Sequence, residues 1–171
     1  MLRLQSLIIA TLLTLATACA LTSKPAVVVG PVGPGPEANR KGAAPATGDG
    51  FLEVRTAMRT YTSDRQAYQL HTAYGIYTAD GTRFKSIQNA RSINTPEPQV
   101  VPLPPGTYDI QAWADGLILV KVSIVIESRR LTRVNLEAGD TILAEKAKPE
   151  QLVRLPDGRI IGWSATVPPP R

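Results

Sequence analysis

The chain has 171 residues, enough for one ordinary domain plus tails. Hydrophobic residues make up 43% and charged residues 19%, a balance that excludes disorder throughout. The formal charge of +5 is scattered over Arg55, Arg59, Arg83, Lys85, Arg129, Arg130, Arg133, Lys146 and Lys148. It forms no basic stripe with interleaved aromatics, so no nucleic-acid partner is expected.

The first segment is Met1-Leu2-Arg3, one positive charge, followed by a mostly apolar run from Leu4 to Ala18. About 15 residues is short for a spanning helix, which needs roughly 20. A charged start, a short apolar middle and small residues at the end make an export signal over residues 1–18. The chain's single cysteine follows at once, so no intramolecular disulfide can form and the core alone must hold the fold.

Leu15-Ala16-Thr17-Ala18-Cys19 resembles the lipobox of bacterial lipoproteins, with Ala16 at the place where the commonest form has Leu or Val. The resemblance implies cleavage between Ala18 and Cys19, a diacylglyceryl group on the Cys19 thiol and an acylated new amine. Two or three acyl chains anchor stably where one holds weakly. The expected partner is therefore a membrane, met through acylated Cys19. Ala20 lacks the acidic character that in that family signals inner-membrane retention, so in a host with two membranes the resemblance implies the outer one. Ordinary secretory cleavage near Ala18 or Ala20 is the rival reading.

Residues 20–50 hold five prolines, six glycines and six alanines. No helical or strand period survives so many interruptions, and residues 19–50 read as the lipidated cysteine and a disordered tether. As a coil it would place a domain about 30 Å from its anchor; in polyproline geometry it would reach on the order of 100 Å. The Val27-Val28-Val29 run offers an edge strand as the lesser alternative.

Alternation begins at Phe51, with Leu52, Val54, Thr56 and Met58 opposed to Glu53, Arg55, Ala57 and Arg59. Residues 63–70, SDRQAYQL, read as a polar loop or a helical turn. Strands are expected over Thr72–Tyr77 and, after an Asp80-Gly81 turn, Phe84–Ile87. Tyr108, Ile110, Ala112 and Ala114 then alternate with Thr107, Asp109, Gln111 and Trp113. After Asp115-Gly116 come Val120, Val122, Ile124 and Ile126, and a last clear strand spans Leu131–Leu136. Such a pattern predicts an all-β fold, an antiparallel Greek-key β-sandwich over residues 51–139. Residues 140–171 form a C-terminal extension, with a hairpin at 152–163 turned by Pro156-Asp157-Gly158 and a proline-rich tail.

Leu103, Pro105, Gly106, Tyr108, Gly116, Val134 and Leu136 resemble the pattern of carboxypeptidase regulatory-like and transthyretin-like domains. The resemblance implies an Ig-like or prealbumin-like sandwich, and in that family the module is an accessory domain without catalysis. Pro fixes φ for the turn at 105 and Gly follows it easily. Tyr108 reads as a core or corner residue whose hydroxyl meets backbone.

Catalytic chemistry leaves little trace. The single histidine, His71, reads as a surface strand residue, and the chain holds no Gly-x-Ser-x-Gly elbow. No catalytic residue, metal ligand or cofactor is expected. The expectation is a non-catalytic, lipid-anchored protein of the cell envelope whose sandwich binds or assembles with an envelope protein or a glycan. Trp113 and Tyr61 are the candidate ligand contacts, since exposed aromatics stack on sugar faces. A carbohydrate-binding module and a small hydrolase or inhibitor dependent on His71 are the alternatives.

Overall fold

The computed structural model describes residues 27–39, 48–92, 95–116, 118–137 and 147–166. Among them the chain is all-β: β1 (Val27–Asn39), β2 (Gly50–Arg55), β3 (Met58–Ser63), β4 (Gln66–His71), β5 (Tyr74–Thr78), β6 (Arg83–Ile87) and β7 (Ala90–Ser92). There follow β8 (Thr95–Pro98), β9 (Val100–Leu103), β10 (Gly106–Ala114), β11 (Ile118–Ile126), β12 (Arg130–Asn135), β13 (Leu152–Arg154) and β14 (Ile160–Ser164). The main sheet runs β6-β5-β10-β11-β1-β12-β2-β9, with β14 on β1 and β13 on β14. The hairpins β3–β4 and β7–β8 stand outside it.

The centre of the sheet follows directly from one-sided burial. Tyr108, Ile110, Ala112 and Ala114 of β10 are buried, as are Val120, Val122, Ile124 and Ile126 of β11, while the residues between them are half-buried or exposed. The two strands pair antiparallel from Gly106↔Ile126 to Ala114↔Ile118, with the chain reversed at Gly116, whose φ is 79°. Across the core, Leu52, Val54, Val101, Leu103 and Val134 join the same apolar cluster, so the curled sheet closes both halves over one interior. At the start of β10 the Tyr108 hydroxyl donates to the Pro104 carbonyl at 3.1 Å, the corner role expected of it. Outside that interior, Phe51, Leu131 and Val100 make a small second cluster.

The sequence reading is corrected at β1. Val27–Asn39, expected within a tether, is a strand in the middle of the sheet. Its first part pairs parallel with β11, Val27↔Val120 to Val32↔Ile124; its second part pairs antiparallel with β12, Pro34↔Thr132 and Asn39↔Arg130. Val29 and Val32 enter the core at 7% and 0% exposure. Each buried valine stabilises the fold by about 2 kcal/mol.

The glycines and prolines have positional reasons here. A side chain at Gly33 would meet the Ala165 Cβ at 2.8 Å, and one at Gly35 would strike the Trp163 ring. Register irregularities between Val29 and Val32, and again between Pro34 and Asn39, accommodate the prolines, which cannot donate to a ladder. Arg130 donates to the carbonyls of Pro34 at 3.3 Å and Gly35 at 3.0 Å.

Two further expectations change. The sheet is not wholly antiparallel, because β1 with β11 and β12 with β2 are parallel pairs. The 63–70 segment is neither loop nor helical turn: it completes the β3–β4 hairpin, paired in unbroken register from Met58↔His71 to Ser63↔Gln66. The hairpin expected at 152–163 is present as β13–β14, and β14 lies against β1 in the main sheet, at Val32↔Ser164 and Gly33↔Trp163.

Candidate functional site

Cys19 and Ala18, the expected lipidation and cleavage residues, lie outside the described residues. Of the other two candidates, Tyr61 lies on β3 of the β3–β4 hairpin and Trp113 on β10 beside the hairpin's root. Strand alternation and register put Arg59, Tyr61 and Ser63 of β3 on one face with Leu70, Tyr68 and Gln66 of β4. Met58, Thr60 and Thr62 share the other face with His71, Gln69 and Ala67. The turn residues Asp64 and Arg65 have φ of 50° and 63°, the two left-handed residues a type I′ hairpin requires.

The root of the hairpin is a clamp of buried hydrogen bonds. Ala57 N donates to the Trp113 carbonyl at 2.8 Å, and Thr72 N donates to Ala57 O at 3.0 Å. Asn89 Nδ2 donates to Val54 O at 2.7 Å and to Thr56 Oγ1 at 3.0 Å, while Thr56 Oγ1 donates to Thr72 O at 2.7 Å. The His71 Nδ1–H donates to Thr56 O at 2.7 Å, and that ring is 5% exposed. His71 is therefore a buried clamp residue, which corrects its reading as a surface residue and commits one of its ring nitrogens to holding the hairpin.

Beyond the clamp, β3 is exposed along its length after Met58 and β4 is exposed or half-buried until His71. Tyr61 is 47% exposed and faces Tyr68, whose hydroxyl donates to Gln66 Oε1 at 2.7 Å. Arg59, two residues before Tyr61 on the same face, carries its guanidinium over the half-buried Trp113 ring at 5.7 Å from the centroid. That contact is a cation–π pair. It covers one face of the Trp113 ring. The resulting strip, Trp113–Arg59–Tyr61–Tyr68, is aromatic, cationic and amphipathic.

Arg59 and Tyr68 were not singled out from the sequence. Their signal was the near-symmetry of Tyr61 and Tyr68 about Asp64-Arg65, but a hairpin with no core face shows no apolar alternation.

Close by, Val27, Ala114, Ile118, Val120, Leu155 and Pro156 line an apolar cleft of about 120 Å³. Ligand pockets span roughly 300–1,000 Å³, so this cleft is too small to be one. Among the described residues no group of three or more His, Cys, Asp and Glu is placed to hold a metal ion, and no helix is long and apolar enough to cross a membrane. Compared with known proteins, the chain matches no family model, no curated protein and no solved structure.

Proposed function

We propose that this is a non-catalytic, lipid-anchored protein of the cell envelope, held by acyl chains on Cys19 and presenting its β-domain as a binding or assembly module. Its localisation is the outer membrane where the host has two. Its fold is a Greek-key sandwich of the carboxypeptidase regulatory-like or transthyretin-like kind, a reading supported by Tyr108 at its corner beside Pro105-Gly106. The observation that carries the binding role is the β3–β4 hairpin. A clamp of buried hydrogen bonds fixes its root, yet its aromatic and cationic strip covers none of the core. Order maintained on an exposed surface suits contact with something outside the molecule.

Metabolic labelling with palmitate tests the anchor. The natural chain incorporates label and fractionates with membranes; the Cys19→Ser variant loses both. Label-free natural protein, or a Cys19→Ser variant that stays with membranes unchanged, would overturn it. Crosslinking in intact cells then identifies what the module touches.

A further inference from the structure

We infer that the β3–β4 hairpin docks on a lipid bilayer surface, the same surface that holds Cys19; this rests on the anchor proposed above. The topology places the root of the hairpin and the start of β1, eight positions after Cys19, at one end of the sheet. β1 runs parallel to β11, so the chain enters β1 at the end where β11 begins, beside the Asp115-Gly116 turn. Val27 faces Val120, which faces Ala112, the neighbour of Trp113. Two strand spacings, about 10 Å, therefore separate Val27 from Ala112. The hairpin is rooted there by the 2.8 Å bond from Ala57 N to Trp113 O.

Chain length then limits how far that end stands from the bilayer. Cys19 and Val27 are eight positions apart. Fully extended, eight residues span at most about 29 Å. The standoff of up to 100 Å that a 31-residue tether would give is lost once β1 belongs to the sheet. A six-residue hairpin strand is itself about 20 Å long, so the hairpin is of the same scale as the gap it would have to bridge.

The chemistry fits an interface rather than a dry groove or a basic nucleic-acid site. Tyr and Trp rings with a polar edge settle at headgroup depth. Long Arg side chains lay their stems along apolar surface and keep the charge among phosphates. Arg59 and Trp113 supply this combination at the root and Tyr61 and Tyr68 along the strip, with Arg65 at the tip. Asp64 is the hairpin's one carboxylate against these two arginines, so an anionic bilayer attracts it mildly.

The test uses the full acylated chain, in which the Cys19 thiol is consumed. Ser63→Cys, on the Tyr61 face at the tip, and Ser128→Cys, in the β11–β12 turn at the opposite end, each offer one thiol for an environment-sensitive fluorophore. Vesicles are phosphatidylethanolamine and phosphatidylglycerol with doxyl-labelled phosphatidylcholine as quencher. On vesicle-bound protein the Ser63 site shifts to the blue and loses most of its emission, and the Ser128 site stays bright. Adding Tyr61→Ser and Tyr68→Ser returns the Ser63 site to the level of the Ser128 site. An acylated protein that floats with vesicles but leaves the Ser63 site unquenched overturns the docking and keeps the anchor; equal quenching at both ends overturns it as well. If mass spectrometry finds no lipid on Cys19, the anchor fails and the docking falls with it.

Discussion

Val27 faces Val120 in parallel register, so β1 begins beside β11, which is itself paired with β10 over nine residues. β1 covers the edge of β11 on one side and of β12 on the other. Removing it would expose both edges and take Val29 and Val32 from the core.

A chain starting at Phe51, the boundary suggested by composition, is therefore expected to give no cooperative thermal transition by circular dichroism and to aggregate. One starting at Ala20 melts cooperatively. Val32→Ala in the longer chain lowers unfolding free energy by about 2 kcal/mol, from two lost methyl groups and the cavity behind them. Equal melting of the two truncations would contradict the central place of β1.

Asn89 is 1% exposed and joins three parts of the chain: it donates to Val54 O and Thr56 Oγ1, and its Oδ1 accepts from Gln99 N at 3.2 Å. Asn89→Ala removes the side-chain donor to Val54 O and Thr56 Oγ1, while Gln99 N keeps its 2.9 Å bond to the Asn89 carbonyl, and the loss costs about 1–3 kcal/mol. Urea denaturation measures it. Hydrogen exchange at the hairpin root, Ala57 and Thr72, should quicken in the same variant.

Tyr74 is 3% exposed, and its hydroxyl has no hydrogen-bond partner among the described residues. Burial, with the nearby Glu53 charge, pushes its phenol well above the ordinary tyrosine value of 10.0. The raised value favours the neutral phenol in the fold. Its contribution is complete below pH 10 and is lost as pH climbs toward the folded value, because the unfolded chain ionises first. Tyr74→Phe is expected to be neutral or to stabilise by up to about 1 kcal/mol at pH 7, since it removes an unpaired polar group. It should also flatten the alkaline loss of stability above pH 10. A destabilisation of 2 kcal/mol, about the cost of removing a made bond, would show that the hydroxyl has a partner.

Asp109 lies 2.8 Å from Lys121 Nζ and accepts from Ser123 Oγ at 2.7 Å. Burial opposes its ionisation, but the hydrogen bonds from Lys121 and Ser123 and the Lys121 charge outweigh it and hold the carboxyl below its usual value. A lowered value stabilises the fold above the unfolded carboxyl's pKa, and that gain disappears as pH falls through the folded value. Asp109→Asn should therefore cost about 1 kcal/mol at neutral pH and almost nothing in strong acid, because solvent at the partly exposed Lys121 screens the pair. Denaturation curves at pH 7 and pH 2 separate the two cases.

The alternation of β10 and β11 was legible because each strand buries one face only, so the side-chain period of two is printed in residue type. The turns were legible as well: Gly81, Gly116 and Gly158 have φ of 84°, 79° and 88°, and each follows an aspartate. From such local rules the sequence by itself determined an all-β chain, most of its central strands, and Tyr61 and Trp113 as the aromatics to examine.

Only the tertiary structure decided the rest. Gly33 and Gly35 look like linker residues until Ala165 and Trp163 are seen packed where their side chains would be, a contact made more than 120 residues along the chain. Arg59 and Tyr68 join the strip through cross-strand register and a cation–π contact, neither of which has a local period. The physical reason is the same in both cases. Composition and spacing report what a residue prefers beside its chain neighbours, whereas a centre strand rich in Gly and Pro and an exposed hairpin are fixed by partners that only folding brings near.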